Sequence, residues 1–75
     1  MDFLVAKDNE PFLLVECKAS ASAPLSPALA AFQKSLNAPW AFQIALDGDA
    51  SDLDPREFEN RPTKLSALDF FKVLV

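Results

Sequence analysis

The sequence predicts an α/β domain built on a mixed sheet, and three observations carry that prediction. Two apolar runs flank a polar turn between Asp2 and Lys18. An apolar stripe at helical spacing runs from Leu25 to Leu36. A further β-type run, Ala41 to Leu46, follows a proline break. Strand, helix and strand in this order indicate a crossover with parallel strands, and such crossovers are right-handed.

The first element is a β-hairpin, D-F-L-V-A-K-D-N-E-P-F-L-L-V-E-C-K, with strands near 2–7 and 12–18 and Asp8-Asn9-Glu10 as the turn. Side chains alternate across a strand, so Glu16 and Lys18 share one face while Leu13, Val15 and Cys17 take the other. Cys17, alternating with Leu and Val, reads as core rather than as a reactive thiol. Register decides whether Asp2 meets Glu16. The two are direct neighbours when paired positions add to 18, which sets Lys7 against Pro11 across a three-residue turn. A slip by one turns the Asp2 side chain away.

A small-residue connector, Ala19 to Pro24, leads to Ser26-Pro27, an N-cap followed by proline at the first helical position. Leu25, Leu29, Phe32 and Leu36 then form one apolar face, predicting a helix over 27–36. Asn37 suits its end, and Pro39 forbids continuation. Gln33 lies one residue off the stripe, either facing solvent or reaching back toward the strand end. Trp40 reads as a lid on the core. In 41–46, Phe42, Ile44 and Leu46 share a face.

Asp47 to Asn60 reads as a polar surface loop holding the one glycine, with a helical turn near Pro55 to Phe58. Arg61 to Leu65 reads as a short extended segment. Ser66 and Asp69 then make an S-x-x-D capping pattern, with Leu65 and Phe70 placed as a hydrophobic staple. Leu68, Phe71, Leu74 and Val75 are expected to supply the buried face of the last helix. The order is therefore β-β-α-β-(β)-α, with three to four strands and two helices.

Composition narrows the function. A chain of 75 residues makes one small domain, yet 51% of it is hydrophobic and seven residues are Phe. That is more apolar material than one small core hides, which predicts part of a larger protein or a homo-oligomer. Net charge is −4, and five acids fall between Asp47 and Glu57. With no basic stripe, tight autonomous nucleic-acid binding is not expected, so DNA would bind only weakly to this chain alone. The absence of histidine excludes histidine catalysis and most zinc sites. The single cysteine excludes an internal disulfide framework. Asp47, Asp49, Asp52 and Asp54 lack the terminal Glu of a helix-loop-helix calcium site. No apolar run reaches membrane-spanning length and no signal-peptide pattern opens the chain, so a cytoplasmic protein is expected.

One group of residues carries chemistry. If the hairpin turn places Asp2 opposite Glu16, two carboxylates and the Lys18 ammonium meet at one end of the sheet. Hard oxygen ligands suit Mg²⁺. A lysine beside them can orient an attacking water or stabilise charge on a phosphodiester in reaction. The same residues also read as solvated charges at strand ends, because E-x-K alone is a weak pattern.

The segments D-F-L-V…P-F-L-L-V-E-C-K, S-P-A-L-A-A-F-Q-K-S-L and A-F-Q-I-A-L-D together resemble the C-terminal region of predicted bacterial and archaeal AAA-type ATPases. That region is an uncharacterised family, itself similar to the PD-(D/E)XK nuclease superfamily. The resemblance spans nearly the whole chain and is firmest over residues 2–46. It implies a single nuclease-like domain over 1–75, with a truncated restriction-endonuclease-like core, and an ATPase domain as partner. By motif position, Asp2 resembles the superfamily aspartate, Glu16 and Lys18 its (D/E)XK pair, and Gln33 the helical glutamine that some members carry near the site. Asp2 and Glu16 would then ligate Mg²⁺. The chain departs from the superfamily pattern in lacking a leading helix and a strand before Asp2. It also has no G-x-x-x-x-G-K-[ST] sequence, so it holds no ATP site.

Overall fold

The computed structural model describes residues 2–48 and 59–74, apart from the side chains of Val73 and Leu74. The elements run β1 (Phe3–Lys7), β2 (Glu10–Lys18), α1 (Pro27–Leu36), β3 (Trp40–Ala45), β4 (Pro62–Ser66) and α2 (Ala67–Leu74). The strands form one mixed sheet in the order β1-β2-β3-β4. The β1–β2 pair is antiparallel, and β2–β3 and β3–β4 are parallel. This is the α/β arrangement the sequence predicts, with Arg61–Leu65 realised as the edge strand β4. Residues 49–58, including the helical turn expected near Pro55 to Phe58, lie outside the described residues.

The hairpin reaches its register by a different turn. Phe3 pairs with Val15, Leu4 with Leu14 and Val5 with Leu13, positions that add to 18 as the site requires. The strands are nevertheless closed by a two-residue turn, with Lys7 opposite Glu10 rather than Pro11. Asp8 and Asn9 both take positive φ, 55° and 67°, the conformation that matches the twist of hairpin strands. A register shift between Val5 and Ala6 reconciles the two, leaving Phe12 as the extra residue on β2. Phe12 consequently packs with Leu13 and Val15 on the same face of the sheet.

That face holds the larger core. Leu13, Val15, Phe42, Ile44 and Leu65 are buried together, with Trp40, Ala67 and Phe70 packed against them. Phe70 meets Phe42 edge-on at 6.1 Å between ring centroids. The other face buries Leu14, Leu29, Ala38 and Ala41, flanked by Leu25 and Leu36.

Helix α1 has the predicted bounds. Pro27 occupies its first turn, and Asn37 ends it in the left-handed region at φ 55°. Its roll differs from expectation. Gln33 is buried, whereas Phe32 is exposed. Leu29, Gln33 and Leu36 form the inward stripe at four- and three-residue steps, which turns Phe32 off the sheet.

Helix α2 starts as predicted, with the Asp69 N–H donating to Ser66 Oγ at 3.1 Å. Its inward face is again different. Phe70 and Ala67 pack on the core, while Leu68 and Phe71 are exposed. The α2 helix covers β3 and β4 but leaves the β1–β2 half of that face open. Cys17, on that open half, is therefore exposed rather than core, and so is Leu46, which lies past the end of β3. Among the described residues no helix is long and apolar enough to cross a membrane.

Candidate functional site at the carboxyl ends of the strands

Because β2, β3 and β4 run parallel, their C-terminal ends share one end of the sheet, and antiparallel β1 begins there. Asp2 therefore lies beside the last residues of β2. Its N–H donates to the Val15 carbonyl at 2.9 Å, and its carboxylate Oδ2 accepts from the Cys17 N–H at 2.7 Å. Val15 and Cys17 point these groups toward β1, since residues two apart in a strand orient their amides alike. The β1 ladder stops at Phe3, so the Asp2 side chain supplies the acceptor that the Cys17 N–H would otherwise lack.

Glu16 sits between those two anchor points and faces the α1 side with Leu14 and Lys18. The Glu16 Oε1 and Lys18 Nζ are 3.7 Å apart, with the glutamate side chain 13% exposed and the lysine 40% exposed. The glutamate is largely buried, whereas the ammonium remains open to solvent. The hairpin thus brings Asp2, Glu16 and Lys18 to one end of the sheet.

Gln33 does not join them. Its Nε2 donates to the Pro39 carbonyl at 3.4 Å, and its own carbonyl receives the Ala38 N–H at 3.2 Å. Pro39 immediately precedes β3, so Gln33 serves the amino end of that strand. A six-residue strand separates it from the acidic end by about 20 Å.

The glutamine that does reach the site end is Gln43. It is buried in the middle of β3, opposite Glu16 on one side and Lys64 on the other. Its Oε1 accepts from the Ser26 N–H at 2.7 Å, and its Nε2 donates to the Pro24 carbonyl at 3.0 Å and the Ala23 carbonyl at 3.4 Å. Gln43 therefore fixes the 23–26 connector and the start of α1 over the sheet. A polar residue interrupting Ala-Phe-Gln-Ile-Ala was the sequence signal for it.

Beyond Gln43 a cavity of about 320 Å³ opens, lined by Lys18, Lys64, Asp47, Ser66 and Asp69 among others. The Asp47 carboxylate is held by the Ala21 N–H at 2.6 Å. Gly48, at φ 106°, closes this rim against Ser66 in a conformation that side-chain-bearing residues rarely adopt.

Among the described residues no three of His, Cys, Asp and Glu converge as a ready-made metal site. Asp2 and Glu16 offer two carboxylates, the hard-oxygen donor type that Mg²⁺ accepts while keeping several waters. Two carboxylates alone are a partial donor set for such an ion. Comparison with known proteins gives no family: no family model matches the chain, and neither a curated protein nor a solved structure is significantly similar to it.

Proposed function

We propose that this chain is a nuclease-like domain whose sheet end supports Mg²⁺-dependent hydrolysis of a phosphodiester. The observation that carries the reading is the anchoring of Asp2 on Val15 and Cys17, on either side of Glu16, with Lys18 following on the Glu16 face. Ligands commonly bind at the carboxyl ends of strands in open α/β sheets. The motif resemblance to PD-(D/E)XK nucleases and to the C-terminal region of AAA-type ATPases points the same way.

Asp2 and Glu16 would hold the cation, whose chemistry is to acidify a water and neutralise developing charge. The Asp2 Oδ2 is committed to Cys17, which fixes the orientation of its carboxylate. The Lys18 ammonium, tethered loosely to Glu16, would turn toward the phosphate and stabilise its added negative charge. An NMR titration with Mn²⁺ tests this. Broadening centred on residues 2 and 16–18 supports the reading, and broadening confined to the acidic 47–57 segment removes it.

A second reading, an oligomerisation module, is favoured by an apolar groove on the opposite face. Phe3, Val5, Leu13, Val15, Leu46 and Phe71 line a cavity of about 420 Å³. With the neighbouring Leu4, the exposed members present on the order of 500 Å² of apolar side chain. That is more than half of the roughly 800 Å² per partner of a standard interface. The occupant we assign is a second copy of the chain.

A further inference from the structure

We infer that the cavity between Lys18 and Lys64 is a phosphoryl-binding subsite for the proposed phosphodiester substrate. The inference rests on the nuclease-like reading and adds Lys64, which no motif assigns.

The sheet register carries the argument. Directly paired residues in a parallel sheet share a face, so Glu16, Gln43 and Lys64 form one row on the α1 side. Lys18, Ala45 and Ser66 form the next row toward the carboxyl ends. Two strand spacings and one two-residue step separate the lysines by about 12 Å at their Cα atoms. Two lysine side chains reaching toward each other can close that gap on one phosphate.

The middle of the row cannot compete for the anion, because Gln43 has both its amide groups committed to the 23–26 connector. Lys64 is exposed and forms no ion pair among the described residues. Two acids also line the cavity and retain their charge, so the anion must sit against the lysines and away from this rim. Asp47 accepts from the Ala21 N–H, and Asp69 is buried in the first turn of α2.

The amino end of α1 lies at this same end of the sheet and has no acidic residue in its first turn, an arrangement that favours negative charge nearby. The cavity volume, about 320 Å³, admits a phosphate and leaves room for a sugar. A lysine on an edge strand also discourages strand pairing, so the test must read binding rather than stability.

The experiment is an amide NMR titration of the full chain with inorganic phosphate and with a short single-stranded oligonucleotide, repeated on Lys64→Ala and Lys64→Arg. The expected result is shifts at Lys18, Ser20, Lys64 and Ser66, with binding of both probes weakened about tenfold by Lys64→Ala and largely restored by Lys64→Arg. Unchanged affinity in Lys64→Ala, or shifts elsewhere, overturns the inference. Binding of phosphate without the oligonucleotide overturns its assignment to a phosphodiester. Mn²⁺ broadening at residues 2 and 16–18 is read separately on the same samples. Loss of that signal with Lys64-dependent anion binding retained removes the nuclease-like reading and leaves the anion subsite standing, and the converse pattern does the reverse.

Discussion

The Asp2 carboxylate accepts a hydrogen bond from the Cys17 N–H at 2.7 Å, and this contact gives one residue two separable roles. The bond extends the β1–β2 ladder past the end of β1. The charge serves the proposed cation site. Asp2→Asn retains a carbonyl acceptor, while Asp2→Ala removes acceptor and charge together. Asp2→Ala is expected to lower stability by about 1 kcal/mol, and Asp2→Asn by less than half of that. Both should weaken Mn²⁺ binding at least tenfold. Urea denaturation and Mn²⁺ titration on the two variants check this, and normal Mn²⁺ binding by Asp2→Asn would leave Asp2 a purely structural role.

Gln43 offers a second prediction, because its buried amide satisfies three backbone groups of the connector. Gln43→Leu conserves volume but strands the Ser26 N–H and the Ala23 and Pro24 carbonyls. The expected cost is about 2 kcal/mol, a large share of a stability of roughly 4–11 kcal/mol for a chain of this length. Hydrogen exchange at Ser26 should accelerate well before the sheet amides respond.

These two residues also show what the sequence discloses. The hairpin, both helices and the parallel placement of β3 follow from apolar periodicity and from the proline and asparagine boundaries. The Asp2–Glu16 register is not legible, because β2 buries Leu13 and Val15 on one face and Leu14 on the other and so fixes no parity. Nor is the turn, since a bulge at Phe12 exchanges one turn residue for one strand residue at no cost to the site. Helix roll is hidden too. Gln33 is buried through a bond to the Pro39 carbonyl that apolar counting cannot register, and Phe32 is rotated outward as a result. For α2, the open β1–β2 half of the sheet face decides which phenylalanine packs, and that depends on where eight residues of helix happen to reach.

The turn itself gives a third prediction. Asp8 and Asn9 both occupy the left-handed region, where glycine is unstrained and asparagine is tolerated. Asn9→Gly should stabilise the hairpin by about 0.5 kcal/mol, and Asn9→Ala should cost about 1 kcal/mol. The denaturation midpoint reports both. Equal midpoints for the two variants would contradict the two-residue turn.

Assembly supplies a fourth. β1 is an edge strand, and because the Val15 carbonyl and Cys17 N–H point toward it, Phe3 and Val5 are the residues that bond to β2 and the Leu4 amide and carbonyl point outward. Antiparallel pairing of two β1 strands about Leu4 sets Leu4 on Leu4 of the second copy and Phe3 on its Val5, a self-complementary match that obeys two-fold symmetry. Phe3 is 58% exposed, so Phe3→Glu should leave the fold intact while abolishing dimerisation. Light scattering across a hundredfold concentration range is the measurement, and a wild-type chain that stays monomeric throughout sinks the self-pairing.

The Glu16–Lys18 pair separates metal binding from chemistry. Glu16→Gln keeps the size of the side chain but removes a ligand charge, and should weaken Mn²⁺ binding at least tenfold. Lys18→Ala leaves both carboxylates in place and should bind Mn²⁺ as the parent chain does. If the lysine stabilises charge on the reacting phosphate, its loss should lower Mg²⁺-dependent cleavage of an oligonucleotide by about 100-fold or more. The two substitutions therefore fail in different assays. Lys18→Ala with undiminished cleavage would assign the ammonium to the ion pair alone. Glu16→Gln with undiminished Mn²⁺ binding would move the cation away from β2, and with it the reason for reading the end of this strand as a catalytic edge.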